Sequence, residues 1–150
     1  MANKPRRIFA FDCEDDGHGK LLYGSIFDGI EHFGFTTKKQ FYNFINQNPG
    51  IYYAHNLPYD MALLDLMTSC VCSWRGSRVI EAQYHGQSVV FRDTLNLSYV
   101  SLAKIGSEMG FKKLDKDFDK EKFDIDILMH TIKRKRRFNF KILFKSLLHQ

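Results

Sequence analysis

The segment FAFDCEDD, Phe9 to Asp16, carries an apolar run straight into four carboxylates, and it constrains the fold more than any other part of the chain. Ile8, Phe9, Ala10 and Phe11 make a near-continuous apolar stretch within Arg7 to Cys13, the pattern of a strand covered on both faces. The carboxylates are expected to close that strand. Residues i and i+2 of a strand share a face, so Asp12 and Glu14 project together from its end. Paired carboxylates repel unless a cation or a proton sits between them, and hard divalent ions with oxygen ligands are the usual solution. A solvated acidic loop is the alternative.

The remaining punctuation builds a layered structure around this strand. Leu21 to Phe27 and Ile30 to Phe35 flank Asp28-Gly29, a turn pair between β-prone runs that predicts an antiparallel hairpin. Thr37 is placed to cap a helix over Lys38 to Gln47 with Phe41, Phe44 and Ile45 on one face, and Pro49-Gly50 ends it. Ile51 to Ala54 reads as a short buried strand and Tyr59 to Met67 as a helix behind Pro58. A second hairpin is predicted from Ser77 to Ala82 and Ser88 to Asp93 around His85-Gly86, then a helix from Ser101 to Met109 stopped by Gly110. This order predicts a mixed α/β sheet rather than a bundle or a sandwich. With 150 residues, 44% of them hydrophobic, one core is expected.

A second polar site follows in YAHNLPYD, Tyr53 to Asp60. A strand ending at Ala54 runs into a loop of His55, Asn56, Leu57 and Pro58, and the first turn of the next helix bears Asp60. Parallel strands present their carboxyl ends at one sheet edge, where sites of open α/β folds gather, so Asp60 is placed to face Asp12 and Glu14. An acid in a helix's first turn also serves the helix itself. His55 reads either as a structural residue or as a ligand.

Together, FAFDCE and YAHNLPYD resemble the first and second exonuclease motifs of the 3′–5′ proofreading domain of family B DNA polymerases, most closely the protein-primed viral and linear-plasmid branch. The stretch VVFRDTLNLSYVSLAKIGSEMGF is similar to the strand and helix that follow in that branch. The resemblance covers roughly residues 7 to 120. It implies an α/β, ribonuclease H-like mixed sheet flanked by helices. It implies hydrolysis of the terminal phosphodiester of single-stranded DNA by two divalent ions, Mg²⁺ or Mn²⁺. In that scheme Asp12 bridges both ions, Glu14 holds the one nearer the nucleophile and Asp60 supports the other. Asn56 and Tyr59 match the positions that grip the 3′ end, with His55 beside them, and Lys113 or Lys116 matches an expected basic residue. The third motif departs from the family: no Tyr is followed four residues later by Asp after Tyr99. EKFDIDILMH instead offers Asp124 and Asp126 as the fourth catalytic carboxylate. Asp15 and Asp16 also stand where the family carries small hydroxyl residues.

Two functions remain open on these grounds. One is an exonuclease module acting on DNA 3′ ends, with a polymerase domain or a terminal protein as its further partner. The other is a truncated or frame-shifted polymerase piece that at most binds nucleic acid. Domain organisation is expected as 1–132, exonuclease-like, and 133–150, a basic tail. That tail holds seven Lys/Arg and no acid, which leaves 15 basic against 17 acidic residues, a net −2, in the body of a chain whose total is +5. KRKRR at 133–137 suits phosphate binding or a solvated end equally well. No secretory leader or membrane-spanning run is legible, so a cytoplasmic protein is expected. Cys13, Cys70 and Cys72 are expected as reduced thiols, with a metal pair at Cys70 and Cys72 as the alternative.

Overall fold

The computed structural model describes residues 6–84, 86, 88–96 and 104. The chain divides into two compact units, Met1–Ser98 and Tyr99–Gln150, and all described residues but Lys104 belong to the first. The expected boundary at residue 133 and the helix expected over Ser101 to Met109 lie outside the described residues, as do Lys113, Lys116, Asp124 and Asp126.

Seven strands form one mixed sheet. They are β1 (Ile8–Asp15), β2 (Leu21–Phe27), β3 (His32–Phe35), β4 (Gly50–Ala54), β5 (Cys70–Arg75), β6 (Arg78–Tyr84) and β7 (Val89–Asp93). Their order is β3-β2-β1-β4-β7-β6-β5. β1, β4 and β7 run parallel at the centre, and the other four add antiparallel on either side. Two helices, α1 (Lys38–Gln47) and α2 (Leu57–Leu63), complete the described part. This is the ribonuclease H-like α/β architecture that the motifs imply.

The apolar alternation of β1 explains why it lies at the centre. Phe9, Phe11 and Cys13 share one face and are buried. Phe9 stacks on Tyr52 of β4 with ring centroids 4.5 Å apart, and Phe11 meets Phe41 of α1 at 5.7 Å and Phe91 of β7 at 5.6 Å. α1 begins where its capping residues dictate: the Gln40 N–H donates to Thr37 Oγ1, and Gln40 Oε1 accepts the Thr37 N–H. Gly50 opens β4 because a Cβ there would stand 2.5 Å from the Arg7 carbonyl oxygen. No larger residue fits between these two backbones.

β6 runs on to Tyr84 rather than ending at Ala82, and four other elements differ from expectation. β1 does not end at the carboxylates but runs through them to Asp15, since Asp12, Cys13 and Glu14 pair with Ser25, Gly24 and Tyr23 of β2. β3 starts at His32 rather than Ile30, because Asp28 Oδ1 accepts the N–H groups of both Ile30 and Glu31 and draws them into the turn. α2 spans Leu57–Leu63 rather than Tyr59 to Met67; Asp65 takes a left-handed conformation and starts a separate short 3₁₀ turn over Leu66–Thr68. β5, the edge strand, has no counterpart among the expected elements.

Candidate active site

The carboxyl ends of β1, β4 and β7 form one edge of the sheet, and both motifs lie along it. Asp12 and Glu14 share a face of β1, half-buried, on either side of the buried Cys13. β1 pairs with β4 only as far as Ala10 opposite Tyr53. Beyond that point α2 takes over from β4. The Cys13 N–H donates to Asp60 Oδ1 at 2.8 Å, and Asp60 is 1% exposed. Strand β1 and helix α2, 47 residues apart in sequence, are thereby joined at the residue between the two β1 acids.

The start of α2 is held by a second carboxylate that the sequence motifs do not single out. Asp93, at the end of β7 and 7% exposed, accepts the N–H groups of Asn56 and Leu57 at 3.0 Å each and that of Leu95 at 2.9 Å. Asn56 is left-handed, φ 68°, and its own side chain does not cap α2. The N-terminal donors of α2 are therefore capped from another strand, a substitute for the local cap. The only hint in sequence is an acid closing a β-prone run, which has many other uses.

Next to it, Thr94 Oγ1 donates to the Ala54 carbonyl at 3.2 Å and lies 2.8 Å from His55 Nδ1.

The remaining acids of FAFDCEDD have local duties. The β1–β2 register shifts between Glu14 and Asp15, with Leu22 of β2 as the extra residue. Asp15 Oδ1 accepts the Tyr59 hydroxyl at 3.0 Å and Oδ2 the Gly17 N–H at 3.1 Å. Tyr59 is 41% exposed, with its ring at the edge and its hydroxyl tied down. Burial first, and then the bond to Asp15, holds that hydroxyl's pKa well above the ordinary phenol value. Asp16 Oδ1 accepts the N–H groups of His18 and Lys20, closing the loop to β2; its pKa is lowered, first by the bond from His18.

The structure thus brings Asp12, Glu14, Asp60, His55, Asn56 and Tyr59 to one edge. The carboxylate oxygens suit a hard divalent cation in kind. Among the described residues, however, no three His, Cys, Asp or Glu side chains converge into a metal-holding group. Cys70 and Cys72 are free thiols, and Cys13 is buried. Among the described residues, no helix is long and apolar enough to cross a membrane.

Fold comparison agrees with this architecture. The chain is similar to phi29 DNA polymerase in its complex with primer-template DNA, with a TM-score of 0.75 at 16% identity, and in its complex with single-stranded DNA, with a TM-score of 0.74 at 15% identity. Each alignment takes in 97% of this chain and 31% of the polymerase, so the chain spans about a third of the structures it matches. At this identity the likeness is one of fold. No protein-family profile matches the sequence, and no curated protein does.

Proposed function

We propose that the chain is the 3′–5′ exonuclease module of a protein-primed family B DNA polymerase, removing nucleotides from single-stranded DNA 3′ ends. One observation carries the reading above all: the Asp60 carboxylate seated on the Cys13 amide, which joins the two sequence motifs at one sheet edge. The phi29 structures of similar fold hold single-stranded and primer-template DNA, which supports a DNA substrate. A polymerase domain or a terminal protein is the partner this reading assigns.

In this proposal Asp12, Glu14 and Asp60 would hold Mg²⁺ or Mn²⁺, which would supply water activation and leaving-group stabilisation. The protein's own part is orientation. Tyr59, fixed through Asp15, offers its ring to the terminal base, a contact worth roughly 1–3 kcal/mol. Asn56, its N–H fixed by Asp93, is assigned to the same terminus. A strand end held in one pose enters the reaction with its orientational entropy already spent.

A non-catalytic, DNA-binding module is the second reading, favoured by the failure of any three described acids to converge. The deciding experiment supplies Mn²⁺ and a 5′-labelled single-stranded oligonucleotide to the purified chain. Progressive shortening from the 3′ end, abolished by Asp12→Ala, is expected. An intact oligonucleotide with no Mn²⁺ heat in calorimetry selects the second reading.

A further inference from the structure

The carboxylate edge accounts for β1, β4, α2 and the end of β7, but not for the hairpin of β5 and β6. Its tip reads Trp74-Arg75-Gly76-Ser77-Arg78, turned through Gly76 at φ 62°, and every one of these residues is exposed. Trp74 is 52% exposed, and it is the chain's single tryptophan. The tip contains two arginines and no acid. An exposed aromatic beside two cations is poorly suited to a solvated turn and well suited to a strand of bases and phosphates.

The sheet register places this tip. One row crosses five strands, Ala10, Tyr53, Arg92, Glu81 and Ser73. Asp12 lies two residues beyond that row on β1, and Arg75 lies two residues beyond it on β5. Because β5 and β6 are antiparallel to each other and β6 to β7, their turn falls at the carboxyl end of β7, on the same edge as Asp12 and Glu14. An Arg92–Glu81 ion pair at 3.0 Å ties β7 to β6 within the row. Asn96 Nδ2 donates to the Val79 carbonyl, bracing the hairpin from the chain leaving β7. The extra residue of β6, Ile80, bends the ribbon just before the tip. Four strand spacings of about 4.8 Å separate β1 from β5, roughly 19 Å in all. That is about six nucleotides at the duplex spacing of ~3.4 Å per strand step, and fewer for an extended strand.

We propose that the β5–β6 tip is a second single-stranded-DNA contact, at which Trp74 stacks on a base and Arg75 and Arg78 meet phosphates several nucleotides from the end held beside Asp12. The inference rests on the DNA-directed reading of the carboxylate edge. It gives the module a footprint running along the sheet's edge rather than a grip on the terminus alone.

The sole tryptophan is its own reporter. The full chain is titrated in EDTA, which prevents hydrolysis, with oligothymidylates of about 4 and about 12 nucleotides, following Trp74 emission and, separately, the anisotropy of a labelled strand. The longer strand is expected to quench Trp74 and bind tighter. Trp74→Ala should weaken it by at least about fivefold, the lower end for one lost stacked base. Arg75→Gln with Arg78→Gln, which keeps the tryptophan, should lower the salt slope of binding by about 1.4, two phosphates' worth. Binding with unchanged Trp74 emission and unchanged slopes overturns the hairpin contact and leaves the exonuclease reading standing. Quenching by DNA in a chain that never shortens it in Mn²⁺ does the reverse. A chain that binds neither strand overturns both, and self-association through Trp74 without DNA quenching marks the tip as a protein interface and overturns the contact.

Discussion

Asp60 occupies two roles that one substitution separates. Its Oδ1 accepts a buried backbone N–H from Cys13, and its charge is the part needed for a cation site. Asp60→Asn keeps an oxygen for the amide while removing the charge, so the urea midpoint should stay close to wild type while hydrolysis of a 3′ end is lost. Asp60→Ala orphans the buried amide and should cost about 1–3 kcal/mol of stability as well. An Asn variant that cuts DNA at the wild-type rate would reduce Asp60 to a strut. Tyr59 divides in the same manner. Tyr59→Phe keeps the ring but cuts its tether to Asp15, so KM for the DNA end should rise by several-fold with kcat little changed. A fall in kcat at constant KM would contradict the positioning role. At this scale the sequence offers candidate acids more readily than it shows their partners. Asp12, Glu14 and Asp60 could be picked out because their spacing is a pattern, whereas Asp93 and Asp15 act through contacts that only folding creates.

Among the elements, α2 depends most on the rest of the protein. It is seven residues long, far below the length at which helices stand alone, and its first donors are capped by Asp93 rather than by its own Asn56. Asp93→Ala should therefore destabilise the fold by at least about 2 kcal/mol in urea, since it leaves several backbone donors without an acceptor. A loss below about 0.5 kcal/mol would show that water replaces the cap. The hairpins respond to acid. Bonds from Gln83 and then from Arg92 lower the Glu81 pKa against a desolvation penalty, and bonds from the Glu31 and Ile30 N–H groups lower that of Asp28. A depressed carboxylate pKa contributes stability that is present above the unfolded value and lost as pH falls through the folded one. Stability should thus decline as pH drops below the ordinary carboxylate range, and Glu81→Gln should flatten part of that decline. What sequence periodicity revealed follows the same physics. α1 was legible to the residue because it has a buried face and a capped end, and β2 because the Asp28 turn bounds a buried run. β5 escaped because an edge strand with Val71 77% exposed and Trp74 outward shows no inside-outside contrast to detect. β1 was cut short for the opposite reason: its ladder to β2 continues through residues whose charge usually marks a loop.

At the scale of the molecule, folding and chemistry fall on different lengths of chain. All seven strands lie between Ile8 and Asp93, and the hydrophobic core runs from Phe9 to Phe91. The core among the described residues lies wholly within the first compact unit, which ends at Ser98. Asp124 and Asp126, which the motif resemblance offers as the fourth carboxylate, and the basic Lys116 belong to the second unit. A chain stopped after Ser98 keeps every described strand and the core from Phe9 to Phe91, and should unfold cooperatively in urea. It should retain the DNA quenching of Trp74, because the hairpin tip and the carboxylate edge are both within it. It should fail to shorten DNA in Mn²⁺, because two or three carboxylates at one edge hold a hard cation more weakly than four. Within the full-length chain, Asp124→Asn and Asp126→Asn made singly should then reproduce that failure at one position and not at the other, naming the fourth ligand. Full activity in the shortened chain would remove both acids from the site and return the burden of the chemistry to Asp12, Glu14 and Asp60.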